Sequence, residues 1–241
     1  GDARVAMNTL ELSVMMVEPN ADNVKVINQE IIQQALQKRV ALYDKSGEEH
    51  YNLISALQKS IRGSDPNGAV YWLARMLESG EDPLYIARRV VRTAVEDIGN
   101  AAPNALTIAM AAKEAIDFLG MPEGNLALAQ AVIYLACAPK SNAITRAYSS
   151  AVKDIEENQN MPVPLHLRNA PTSLMKKLDY GKGYKYAHDF PGHYTEQQYL
   201  PDNLLGRVYY QPDGQGYEAE ILKRMEQWRK KNTSNPQPNQ S

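Results

Sequence analysis

The chain has 241 residues, 44% of them apolar and 22% charged, with 26 Lys and Arg against 28 Asp and Glu for a net charge of −2. That length can bury a core in one large or two smaller domains, and that charge excludes a surface that grips a polyanion as a whole, leaving only local patches for nucleic acid. No run approaches the roughly 18 uninterrupted apolar residues of a membrane span and the N-terminus carries no signal-peptide pattern, so a cytoplasmic protein without membrane contact is expected.

Taken in chain order, "GDARVAMNTLELSVMMVE" places Val5, Leu12 and Met16 with Ala6, Thr9 and Ser13 at helical spacing and stops at Pro19. Asp22 is a candidate cap for a second helix reaching Val40, whose stripe is Val24, Ile27, Ile31, Ile32, Leu36 and Val40. The polar link "DKSGEEH" is the best boundary candidate. Beyond it, "YNLISALQKSIRG" reads as an amphipathic helix ending at Gly63. "SDP" and "EDP" each put an Asp cap before a Pro at the first helical position, Asp65–Pro66 and Asp82–Pro83. These open "NGAVYWLARMLESG", in which Trp72 is expected in the core, and "LYIARRVVRTAVEDIG", read as one helix over 83–98. A helix from near Pro103 to Leu119 is broken by "GMPEG". "NLALAQAVIYLACA" follows, with the single Cys137 expected to be a small buried hydrophobe and no disulfide possible within the chain. "SNAITRAYSSAVKDIEE" starts from a Ser141 or Asn142 cap. Short helices joined by short turns predict antiparallel neighbours and an all-α multi-helix bundle.

From Met161 the pattern changes. Thr172 caps one short helix to Leu178, and residues 179–217 then hold eight of the fourteen Tyr among Gly and Pro with little periodicity. This long irregular Tyr/Gly/Pro-rich segment is expected to wrap the bundle, Tyr rings on apolar surface and hydroxyls outward. A last amphipathic helix, "EAEILKRMEQWRKK", precedes a tail expected to be disordered. That tail is residues 231–241.

The motifs are mostly absent ones. The sequence contains no G-x-x-x-x-G-K-[ST], H-E-x-x-H, paired CxxC or G-x-S-x-G, and "YGKGYKY" lacks the glycine spacing and the Ser/Thr of a phosphate loop. No catalytic residue is assigned. His166, His188 and His193 with Asp189 raise a metal site, but scattered loop imidazoles more often meet water or hydrogen-bond partners, and no metal is assigned. Arg168, Lys176, Lys177, Lys182, Tyr184, Lys185 and Tyr186 combine cations for phosphates with rings for bases, as single-strand binding requires; a loop with inward Tyr and solubilising Lys has the same composition. A stand-alone DNA-binding module on 168–186 is therefore the alternative function. Arg88, Arg89 and Arg92, with Glu96 and Asp97, read as an ion-paired solvated face.

The blocks "GDARVAMNTLEL", "GEEHYNLISALQKSIRGSDPNGAVYWLARMLESGEDPLYIARR", "VEDIG", "GMPEG", "LAQAVIYLACAPKSNA" and "PVPLHLRNAPTSLMKKLDYGKGYKYAHDFPGH" run in order along the whole chain. Together they resemble the C-terminal half of the replication-associated recombination protein A (RarA/MgsA) family of AAA+ ATPases, which includes the Werner-helicase-interacting protein. The resemblance implies a clamp-loader-like DNA-dependent ATPase acting at stalled replication forks as a homotetramer. It makes residues 1–18 the last helix of the ATPase lid, 19–160 the collar-like oligomerisation domain, and 161–230 part of that domain. It places Arg4 of "GDAR" at the position that reaches the γ-phosphate of ATP. Nucleotide and Mg would belong to the whole protein and no cofactor to this part alone. The implied partners are further copies of the chain, fork DNA and replication proteins such as single-strand-binding protein, in a cytoplasmic, nucleoid-associated setting.

Overall fold

The computed structural model describes residues 2–20, 23–42, 48–158 and 161–234, and only the backbone of residues 2–5, 8, 37–42, 48, 49 and 231–234. The proposed Asp22 cap, most of the polar link and the tail after Ser234 lie outside the described residues. The fold is all-α. Ten α-helices are described: α1 (Asp2–Met15), α2 (Gln29–Leu42), α3 (Glu48–Arg62), α4 (Pro66–Glu78), α5 (Pro83–Thr93), α6 (Asn104–Leu119), α7 (Asn125–Cys137), α8 (Ala143–Glu157), α9 (Ser173–Lys177) and α10 (Glu218–Ser234). The described residues contain no strand. They form two compact units, residues 1–98 with 103–138, and residues 99–102 with 139–241.

In the first unit α1 packs on α2, and α3 to α7 form a bundle in which α7 touches α3, α4, α5 and α6. The expected caps are in place. Asp65 Oδ1 accepts the N–H groups of Asn67 and Gly68, both at 3.0 Å, and Asp82 Oδ1 accepts that of Leu84 at 3.0 Å. Each side chain satisfies amide donors that the first helical turn cannot pair internally. The core holds Leu53, Leu57 and Ile61 of α3, Leu73 and Met76 of α4, Ile86 and Val90 of α5, and Leu128, Val132 and Leu135 of α7. The buried line of α6 is Ala105, Ala109, Ala112 and Ile116, small over its first three positions. Small residues there let α7 approach closely.

Four expectations are corrected in this unit. The second helix begins at Gln29 and not near residue 22, so Val24 and Ile27 precede it. The helix after Pro83 is not uniform: it gives way to a π turn over Ala94–Ile98, where Asp97 accepts two bonds from Arg62, at 2.7 and 3.3 Å. Trp72 is only half-buried, with Tyr71 edge-on at 4.9 Å and the Arg75 guanidinium 5.6 Å from its ring centre. Cys137 is exposed. α7 carries no charge on any side, so periodicity gave little sign of which side faces the core. On α1 the inward residues are polar, Thr9 and Ser13, with the Ser13 hydroxyl donating to the Thr9 carbonyl at 2.7 Å.

The second unit is built on α8, α10 and the irregular stretch between them. Thr172 Oγ1 accepts the Met175 N–H at 3.2 Å and so starts α9 as expected. Short 3-10 turns at Leu165–Leu167, Ala187–Asp189, Pro191–His193 and Asp202–Leu204 punctuate the segment. Its tyrosines do not all turn their hydroxyls outward: Tyr209 donates to Asp154 at 2.9 Å and Tyr210 to Glu218 at 3.0 Å. At Gly216, φ is +51°, and a Cβ would stand 2.2 Å from the Ala101 carbonyl oxygen. Only glycine fits there, and the close approach lets the Tyr217 N–H donate to that carbonyl at 2.8 Å.

Candidate functional site

The largest chemical anomaly in the first unit is on α7. "NLALAQAVIYLAC" has no charged residue along 13 positions. Its inward stripe, Leu128, Ala131, Val132, Leu135 and Ala136, is buried. The opposite stripe, Leu126, Gln130, Ile133 and Cys137, follows the i, i+4, i+7, i+11 spacing of one helix face and lies in solvent. Leu126 is 78% exposed and Ile133 43%. At the α6–α7 corner Phe118 is 89% exposed, with Leu119 and Met121 beside it in sequence and also exposed. A helix apolar all round belongs inside a larger assembly. Nothing in the described chain covers this face.

The basic–aromatic residues of the second unit separate into two groups. Arg168 is used internally: its Nε donates to the Val163 carbonyl at 2.6 Å, and its guanidinium lies 5.1 Å from the Tyr180 ring centre and donates to the Tyr180 hydroxyl at 3.2 Å. Lys182 pairs with Asp179 at 2.9 Å, and half-buried Lys185 donates its backbone N–H to Gln197 Oε1 at 2.8 Å. By contrast Lys176 and Lys177 end α9 exposed, Tyr184 is 47% exposed and Tyr186 55%. The structure thus brings four of the seven candidates to the surface with no ion-pair partner among the described residues. His188 lies 5.1 Å from Tyr186 and 4.9 Å from His193, ring centre to ring centre. His166 is apart from them in its bonding, its Nε2 2.7 Å from the Gln198 carbonyl. Among the described residues no group of three or more His, Cys, Asp or Glu is placed to hold a metal.

What sequence reading missed is the pair of carboxylate networks that holds this segment in shape. Glu218, fully buried at the start of α10, accepts the Tyr210 hydroxyl at 3.0 Å and the Asp213 N–H at 2.7 Å. The Ser141 hydroxyl shares its proton between Glu218 at 2.8 Å and Asp213 at 3.0 Å, while its oxygen accepts the Ala143 N–H at the start of α8, whose N-cap residue is Asn142. Arg146 pairs with Asp213 and holds that carboxyl below the usual carboxylate range. The second network centres on buried Asp154, which accepts Arg207 through both oxygens, at 2.7 and 2.8 Å, and the Tyr209 hydroxyl. Arg207, then Tyr209, lower the Asp154 pKa; burial first, then Asp154, raises that of Tyr209. A signal existed: Asp154 continues the inward stripe of Ala143, Ala147 and Ala151 on α8, where a carboxylate requires donors.

A nucleotide site is not built from these residues. Arg4 lies in the first turn of α1 and its side chain is outside the described part. A single guanidinium cannot replace a backbone cradle for phosphates and ligands for Mg²⁺. No described helix is long and apolar enough to cross a membrane.

Comparison with known proteins accounts for both units. The family described as "MgsA AAA+ ATPase C terminal" matches residues 63–229, and "AAA C-terminal domain" matches residues 1–62. The Replication-associated recombination protein A of Coxiella burnetii is 50% identical over 96% of this chain and 53% of its own length. That of Escherichia coli K12 is 46% identical over 92% and 50%, respectively. The ATPase WRNIP1 of Dictyostelium discoideum is 43% identical over 88% of this chain and 26% of its own length. The chain spans about half the length of the bacterial relatives. It belongs to the MgsA AAA+ ATPase C-terminal family.

Proposed function

We propose that this chain is the assembly half of a clamp-loader-like AAA+ ATPase that acts at stalled or damaged DNA replication forks, and that it holds four copies together. The observation that carries this reading is α7: thirteen residues without a charge, with Leu126 and Ile133 on the side that the chain leaves in water. Obligate interfaces resemble a domain core cut in two and bury about 2,000 Å² or more. Phe118, Leu119 and Met121, in the corner that precedes α7 in sequence, are exposed apolar residues as well. Tetramerisation would gather several ATPase units on one DNA and turn modest single-site affinities into avidity.

The names of the relatives support the setting, and the match of residues 1–62 to an AAA C-terminal domain supports reading α1 as the end of an ATPase lid. Met7, Leu10, Val14 and Met15 stand exposed on α1, as apolar residues do where a packing partner lies elsewhere. In the whole protein Arg4 would reach the γ-phosphate from that helix. ATP and Mg²⁺ would be held by residues of the relatives' other half. Partners at the fork, single-strand-binding protein among them, would meet the assembled ring in the cytoplasm, at the nucleoid.

The test is the mass of the chain in solution by sedimentation or light scattering at tens of micromolar. Four times the mass of one chain is expected. A clean monomer would remove the assembly reading.

A further inference from the structure

On α5, Tyr85, Arg88, Arg89 and Arg92 share one face of the helix, and the acids around them are divided unequally. Arg92 pairs with Glu96 at 2.6 Å. Arg88 stands 4.0 Å from Asp82, its guanidinium 5.9 Å from the Tyr85 ring centre. Across the seam on α3, Arg62 donates to both oxygens of Asp97, and His50 Nδ1 lies 2.5 Å from Glu81 Oε2. Arg89 has no carboxylate partner among the described residues. Its side chain is half-buried, and the one acceptor it meets there is the neutral Gln58 Oε1, 3.0 Å from Nη2. Its Nε is enclosed with no acceptor, and Nη1 has none either but is not enclosed.

A guanidinium keeps its charge at any pH a folded chain meets. Half out of water and without a counter-charge, it carries a desolvation cost that a bound anion offsets. The neighbours of Arg89 hold it in that state. Gln58 Nε2 donates to Thr93 Oγ1 at 3.1 Å, and the Thr93 hydroxyl donates to the Arg89 carbonyl at 2.9 Å. These bonds fix the Gln58 amide with its oxygen toward Arg89. One turn earlier on α5, Tyr85 is half-buried and its hydroxyl makes no hydrogen bond among the described residues. Burial raises the Tyr85 pKa, against the pull of the Arg89 charge, so the hydroxyl keeps its proton and remains a donor. The other charges of the seam stand in opposite pairs, which leaves a single positive charge at Arg89. A singly charged oxyanion balances it, whereas a phosphate dianion overshoots.

We infer that Arg89, its guanidinium positioned by Gln58 and with Tyr85 as a second donor, binds a carboxylate group on the α3–α5 seam of the first unit. The inference goes beyond assembly and does not rest on it: a monomeric chain that takes up a carboxylate at Arg89 leaves it standing.

The test follows the Arg89 Nε–H resonance of the ¹⁵N-labelled chain by NMR while acetate replaces chloride at constant ionic strength. A saturating shift is expected, larger than those of Arg62 and Arg92, whose carboxylates are already in place. The blocked peptide acetyl-Ala-Asp-Ala-amide is titrated beside it. A saturating shift with either probe supports the site, and the tighter probe says whether the carboxylate comes free or on a protein side chain. Arg89→Gln, followed through the backbone amides of residues 85–93, should weaken binding at least about tenfold, the worth of one charged hydrogen bond. Tyr85→Phe should weaken it about two- to tenfold. Without any probe, Arg89→Met should leave the urea midpoint unchanged or raise it, because it removes a charge that has no partner. A marked fall in that midpoint would make Arg89 a structural residue and overturn the inference. So would an Arg89 resonance that neither probe moves, or tighter binding of inorganic phosphate at a pH where it is a dianion.

Discussion

The two units of this chain hold themselves together by different physics. In the first, capped helices bury aliphatic side chains, and polar groups are few in the core. In the second, few large apolar side chains are buried, and the long irregular segment is tied down by two carboxylate centres, Glu218 and Asp154, each satisfied by hydroxyl, amide or guanidinium donors. Burial of apolar area is nondirectional and tolerates small shifts. A desolvated carboxylate tolerates none, because losing one donor leaves the full desolvation cost unmet. An apolar core suits a scaffold that, on the function proposed above, presents an outer face to other copies. Directional bonds suit a segment that must keep rings and turns in one arrangement without regular secondary structure.

The sharpest way to break that contrast is acid. The Asp154 carboxyl, through Arg207 and Tyr209, and the Asp213 carboxyl, through Arg146, both titrate below the usual carboxylate range. Groups with depressed pKa contribute stability that is fully present above about pH 5 and is lost as pH falls through their folded values. Hydrogen exchange measured from pH 6 down to pH 3 should therefore show residues 161–217 opening first, with α3 to α7 still protected. Asp154→Asn should flatten the acid limb of the second unit. Simultaneous opening of both units would contradict the contrast.

Next in size is Glu218→Ala, which strands the Tyr210 hydroxyl, the Asp213 amide and part of the Ser141 proton; a loss of about 3–5 kcal/mol is expected, confined to the second unit. Limited proteolysis should cut within 161–217 and spare α3 to α7. Leu135→Ala removes a fully buried side chain where α7 meets its neighbours and should cost about 3 kcal/mol, read as a shift of the first unit's unfolding midpoint. Asp65→Ala should cost about 1 kcal/mol, the worth of one helix cap, and leave the second unit unchanged. A cap loss larger than the core cavity would invert the order that the packing implies.

Much of the first unit was legible in the sequence because helix punctuation is local. Asp65–Pro66 and Asp82–Pro83 announce their helices through bonds that reach only two or three residues. The second unit was less legible because its organising contacts are far apart in sequence: Asp154 meets Arg207 across 53 residues and Ser141 meets Glu218 across 77. The candidate surfaces divide in the same way. Composition marks Lys176, Lys177, Tyr184 and Tyr186 as cations and rings and the structure leaves them exposed, whereas the internal use of Arg168 depended on where Tyr180 and Val163 lie. Cys137 was misplaced because an uncharged helix gives periodicity no polar side to mark.

The central claim is that the outer face of α7 is covered by another copy of the chain, and one measurement addresses it directly. Sedimentation equilibrium of the Leu126→Lys, Ile133→Lys variant should give a mass below that of the unaltered chain at the same concentration, with helix content by circular dichroism unchanged. A variant that keeps both its fold and the full assembled mass would contradict the claim.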